Sequence, residues 1–171
     1  MIALFLATAL ADEPSCPQLD APPAALSVAW IAPVGKHVGR KTWLRVVPTV
    51  ALRQWVGRER GATVGKLLHK AGIRKRKSEP HRRYMITIFD VQASDLCRPV
   101  ESAEPGEDVN GLPACPASAV RSRPNHDGCG YTVDRATGDR GLDLYAIRWE
   151  DAAPRGFCVL PADRFVVEGA R

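Results

Sequence analysis

Three stretches in the first half of the chain have the composition and spacing of β-strands. Leu26–Val34 (LSVAWIAPV) is apolar and β-branched and is closed by Pro33. In Lys41–Val47, Trp43 and Arg45 alternate with Leu44 and Val46, a half-buried pattern that Pro48 ends. Arg82–Val91 carries the densest strand signal, with Tyr84, Ile86 and Ile88 on one face and Met85, Thr87 and Phe89 on the other. Between the second and third stretches the period changes. Thr49 is placed to cap a helix running to Val56, with Leu52, Trp55 and Val56 on one side. After Gly57 and Gly61, Thr63 caps a second helix whose Val64, Leu67, Leu68 and Ala71 recur at helical spacing, with Gly72 as the stop.

The second half is less regular. Residues 98–128 are rich in proline and hold the acidic residues Glu101, Glu104, Glu107 and Asp108, which reads as a long surface loop. From Cys129 the pattern predicts a meander: strands over Cys129–Arg135, Leu142–Glu150 and Phe157–Leu160, turns at 137–141 and 151–156, and a last strand over Arg164–Glu168. The expected fold class is α+β: an antiparallel sheet of roughly 5–7 short strands packed with two short helices and stapled by disulfides.

A length of 171 residues, with 45% hydrophobic and 25% charged, suits one globular domain, expected over residues 26–171. Residues 1–11 (MIALFLATALA) are uncharged and end in Ala-Leu-Ala, so they read as a signal peptide, followed by a Pro- and Ala-rich leader over 12–25. Eleven helical residues reach only about 16 Å, short of a ~30 Å hydrocarbon core, so no transmembrane span is expected. The implied destination is export, periplasmic or extracellular.

Export gives meaning to the five cysteines, Cys16, Cys97, Cys115, Cys129 and Cys158. None forms a Cys-x-x-Cys pair, which disfavours zinc and favours disulfides. The expected bridges are Cys97–Cys115, closing the proline-rich loop, and Cys129–Cys158, joining the first and third meander strands. Cys16 is left free, links a dimer, or takes the place of one partner in these bridges.

Charge sharpens the picture. Residues 35–83 hold fifteen Lys and Arg against Glu59 and Glu79, a net +13; the whole chain is +5, so the remainder carries −8. Trp43, Trp55 and Tyr84 are interleaved with those charges, the mixture a phosphate-rich polymer surface calls for. The two short helices around Gly57–Gly61 also have the look of a helix-turn-helix, with Lys66, His69 and Lys70 on the outer side of the second. The candidate binding residues are Lys66, Lys70, Arg74, Lys75, Arg76, Lys77, Arg82 and Arg83. For an exported chain the matching partners are extracellular DNA, anionic envelope polysaccharide and anionic lipid headgroups. An acidic partner protein fits the same charge, and the acidic loop at 101–108 could neutralise it within the chain.

A second constellation is Asn125-His126-Asp127-Gly128-Cys129-Gly130. An imidazole beside a thiol can take its proton and make it an acyl-transfer nucleophile. Over about six residues the run resembles the Ser/Thr-His-Gly-Cys signature of the L,D-transpeptidases, secreted enzymes that crosslink peptidoglycan. The resemblance implies a peptidoglycan-modifying cysteine enzyme using Cys129 and His126. It departs from the signature in the inserted Asp127 and in Gly130, where Arg or Asn follows the cysteine. The nearest upstream histidine is His81. No cofactor or metal is implied: His37, His69, His81 and His126 are scattered, and Gly35–Gly39 lacks the phosphate-loop pattern. Asp134, Asp139 and Asp143 lack calcium-loop spacing and read as a solvated hairpin tip.

Overall fold

The computed structural model describes residues 24–73, 82–120, 141–152 and 157–169. In chain order the elements are β1 (Ala25–Pro33), β2 (Trp43–Pro48), α1 (Thr49–Arg58), α2 (Val64–Lys70), β3 (Tyr84–Gln92), β4 (Asp108–Val109), β5 (Leu112–Pro113), β6 (Tyr145–Arg148), α3 (Trp149–Ala152), β7 (Phe157–Pro161) and α4 (Ala162–Gly169). Five strands form one antiparallel sheet in the order β6-β2-β1-β3-β7, and β4 and β5 make a separate hairpin. The α+β class and the antiparallel sheet expected from the sequence are present.

Strand β1 is covered on both sides, which is why its sequence is apolar almost throughout. Ala29 and Ile31 face a core made with Val47, Ile86, Leu52 and Val56 of α1, Leu67 and Leu68 of α2, and Phe165 and Val166 of α4. Leu26 and Val28 face a second core with Leu44, Val46, Phe89, Tyr145 and Ile147, closed by Leu96 and Leu112 from the segment after β3 and by Ala152 of α3. Helices thus cover one face of the sheet, and residues 93–120 with α3 cover the other. Burying each large aliphatic side chain contributes about 1.5–3 kcal/mol.

The local signals around the helices are partly as expected. Thr63 caps α2, its Oγ1 accepting from the Lys66 N–H at 3.3 Å. Gly72, at φ 74°, ends it, with Gly72 N–H donating to His69 O and Ile73 N–H to Leu68 O. At α1, Pro48 takes the cap position instead of Thr49, and no side chain caps the helix. Thr49 is the first helical residue, where its hydroxyl accepts from Ser27 Oγ at 3.3 Å across to β1.

The C-terminal part differs from the expected meander. Strands β6 and β7 lie at opposite edges of the five-stranded sheet, because β2, β1 and β3 stand between them. The strand over 142–150 shortens to β6, with Trp149–Ala152 turning into α3. Residues 164–168 are helical, within α4. Their valines suggest a strand, but Ala162, Phe165 and Val166 are the buried positions, a helical spacing, and Arg164 Nε donates to Glu168 Oε1 one turn on at 2.6 Å. The predicted strand at 129–135, the signal peptide and all but the end of the leader lie outside the described residues.

The Cys97–Cys115 bridge is formed, with Cα atoms 4.9 Å apart. Cys158 carries a free, exposed thiol, so the expected bridge to Cys129 is not made. Its strand pairs with β3, where Ile88 is its neighbour; Cys129 lies outside the described residues.

Helix α4 meets α1 closely. A Cβ on Gly169 would lie 2.8 Å from Val56 Cγ1. Gly169→Ala should therefore lower stability by roughly 1–3 kcal/mol through overpacking. Leu52→Ala, which empties part of the same layer, should lower it by about 2–5 kcal/mol. Both are read as a lower denaturant midpoint at unchanged slope.

Candidate anion-binding surface

One end of the sheet collects cations from segments far apart in sequence. In the β1–β3 ladder Pro33 sits opposite Tyr84, and one step further Val34 N–H donates to Arg83 O at 3.0 Å. Gly35, at φ 76°, turns the chain there, and Lys36 N–H closes the turn on Pro33 O at 3.2 Å. The loop then returns to β2 through Thr42, whose N–H donates to Gly39 O at 2.9 Å. It is held from the other side by Trp149 N–H on Thr42 O and Glu150 N–H on Arg40 O. Lys36, His37, Arg40, Lys41, Arg82 and Arg83 are all exposed at this end. Among the described residues Lys36, Arg40, Lys41 and Arg83 have no ion-pair partner. Arg148, last in β6, lies over the Trp43 ring at 5.4 Å and pairs with Glu150 at 3.1 Å.

Cations on the helical face are more engaged. Lys66 Nζ pairs with Glu59 at 2.7 Å across the α1–α2 turn. Arg58 donates to Gln54 O, and the Arg53 guanidinium lies 5.8 Å from the centre of the Phe165 ring. Lys70 is half-buried, and its carbonyl accepts from Leu142 N–H. Leu67 and Leu68 of α2 are committed to the core. Of the residues singled out from the sequence, Arg82 and Arg83 join the sheet end, Lys66 and Lys70 belong to α2, and Arg74, Lys75, Arg76 and Lys77 lie outside the described residues.

Among the described residues, the acids of 101–108 do not neutralise these groups by direct pairing. Glu101, Glu104, Glu107 and Asp108 are exposed, and none takes part in an ion pair among the described residues. Glu107 Oε2 accepts from Glu104 N–H at 3.0 Å, and Asp108 Oδ1 accepts from Gly111 N–H at 2.8 Å. Both are turn-forming bonds. Residues 49–73, on the helical face, carry +4, and residues 93–120, on the other, carry −4. Charge is therefore split across the sheet.

Arg98 of the same segment joins a buried ion pair with Asp143, just before β6, that the sequence reading missed. Arg98 and Asp143 are each 1% exposed, with Arg98 Nη1 donating to Asp143 Oδ1 at 3.0 Å. Asp143 Oδ2 accepts from Tyr145 OH at 3.3 Å, and the guanidinium lies 5.1 Å from the centre of that ring. Asp143, expected at a solvated hairpin tip, is instead the counter-ion of the core. Arg98 Nε and Nη2, the edge of the guanidinium that grips a carboxylate at two points, are buried and find no partner among the described residues. A charged residue beside Cys97 was the only hint of this in the sequence.

No group of three or more His, Cys, Asp or Glu among the described residues could hold a metal ion. No helix among them is long and apolar enough to cross a membrane. His126 and Cys129 lie outside the described residues. Compared with known protein families, curated proteins and solved structures, the chain matches none of them.

Two measurements test the buried cluster. Arg98→Ala leaves Asp143 buried and unpaired and should cost about 3–5 kcal/mol in denaturant unfolding, whereas the apolar replacement Arg98→Met/Asp143→Leu/Tyr145→Phe should cost far less. Burial, with the Asp143 charge adding to it, pushes the Tyr145 hydroxyl up to about 12 from its ordinary 10.0. The folded state thus holds the neutral phenol. Its contribution to stability is complete below pH 10.0 and is lost as pH rises through about 12. Denaturant midpoints should fall across that window and fall less in Tyr145→Phe.

Proposed function

We propose that this chain binds an anionic polymer or surface through the cations at the β1–β2 end of its sheet. One observation carries the reading: Lys36, Arg40, Lys41 and Arg83 are exposed and without ion-pair partners among the described residues, on two segments joined by the Val34–Arg83 backbone bond. Arg82 stands beside them. The split of charge across the sheet supports the reading further, because it sets the acidic loop on the face opposite α1 and α2. For an exported chain, consistent with its disulfide, the partners are extracellular DNA, anionic envelope polysaccharide or anionic lipid headgroups.

Binding to duplex DNA, to heparin-like polysaccharide and to anionic vesicles across a salt series tests this. Charge-driven attachment weakens as salt rises, by about 0.9 in log–log slope for each DNA phosphate neutralised. The Lys36→Ala/Arg40→Ala/Lys41→Ala/Arg83→Ala variant should lose about three to four units of that slope on DNA. Absence of binding to all three probes at low salt, or an unchanged slope in the variant, would overturn the reading. An acidic protein retained where all three probes fail would point to a protein partner instead.

A further inference from the structure

Among the described residues, the segment that covers the second face of the sheet, residues 93–120, is joined to it by few backbone hydrogen bonds. Ala93 N–H donates to Ala24 O at 3.1 Å where the segment leaves β3. At the far side Cys97 exchanges two backbone bonds with Ala146 of β6, at 3.0 and 2.8 Å. Its other backbone bonds among the described residues are internal. Arg98 N–H donates to Pro113 O, Cys115 N–H to Arg98 O, Ala114 N–H to Glu107 O and Gly106 N–H to Ala114 O. The first two zip Arg98 against Pro113 and Cys115, beside the Cys97–Cys115 bridge, and the other two tie residues 106–107 to Ala114. The layer buries Leu96, Val100 and Leu112 as its larger aliphatic side chains. Against them stand the ordering of a long segment whose only strands are two residues each, and the burial of Arg98 with two unpartnered donors.

We propose that this layer is latched by oxidation: residues 93–120 close over the sheet once the Cys97–Cys115 bond has formed, and stand open in the dithiol chain. In the dithiol state nothing covalent limits the freedom of the 18-residue separation, and that freedom opposes the zip at its weakest point, beside the buried charge. Opening returns the guanidinium of Arg98 and the carboxylate of Asp143 to water. It also frees the backbone of Ala146, so β6 presents a strand edge that the closed layer hides.

The closing chemistry is thiol–disulfide exchange with a disulfide-bearing oxidant. One cysteine thiolate attacks that disulfide, forming a mixed disulfide and releasing one thiolate of the oxidant. The second cysteine thiolate attacks the protein sulfur of the mixed disulfide, forming Cys97–Cys115 and releasing the other. Two electrons and two protons pass to the oxidant, which ends as a dithiol.

Hydrogen exchange on the full chain separates a latch from a general staple. In Cys97→Ser/Cys115→Ser, the amides of Arg98, Gly106, Ala114, Cys115 and Ala146 should exchange about a hundredfold faster or more, while those of β1 and β3 keep their rates. Adding Arg98→Met, Asp143→Leu and Tyr145→Phe to that background removes the buried polar cost and should restore protection of the layer by about tenfold or more. Full protection of the layer without the bridge would overturn the proposal. So would loss of protection in β1 and β3 together with the layer, including outright failure of the serine variant to fold. A charge-free variant whose layer exchanges as fast as the serine variant would remove the part assigned to Arg98.

Discussion

The pairing of β1 with β3 is the constraint on which everything else rests. It runs in register over nine residues, from Ala25 opposite Gln92 to Pro33 opposite Tyr84, and it is covered on both faces. A one-residue slip would exchange the two faces of a strand and set Ala29 and Ile31 against the wrong layer. The same register delivers Arg83 to Val34 and thereby gathers the cations at one end. Fold and candidate surface are consequences of one alignment.

The two layers on that sheet are built on different terms. The helical layer is an aliphatic contact between α1, α2, α4 and the strands, and its charges face outward. The layer at 93–120 buries a formal ion pair with unpartnered donors. Breaking such a pair costs more than replacing it with apolar groups, so it contributes little net stability while penalising any structure that separates its partners and leaves either of them buried. Arg98 and Asp143 are 45 residues apart, and their contact specifies how the covering segment sits relative to β6.

What was legible in the sequence follows the range of the interaction responsible. Strands β2 and β3 and helices α1 and α2 were readable from their periods and β1 from its apolar, Pro33-bounded run, and the Thr63 cap and Gly72 stop act within a few residues. Helix α4 was misread because Phe165, Val166 and Val167 favour a strand locally, while burial selects a helical spacing. The β4–β5 hairpin had a local signal that went unused: Asn110-Gly111, with φ of 53° and 78°, is the residue pair a tight two-residue turn demands. Separation of β6 from β7, the Lys66–Glu59 pair and the Arg98–Asp143 pair depend on topology, to which a linear pattern is blind. The density of positive charge was visible from the start. That Lys36, Arg40 and Lys41 share an end with Arg83 required the register.

The fit of Gly169 against Val56 bears on how the helical layer is completed. Strand β7 and helix α4 are the last elements described, yet they close the sheet at β3 and complete the packing over α1. The core beside Leu52 and Val56 is incomplete until α4 docks, so closure of this layer waits on a contact between parts of the chain far apart in sequence.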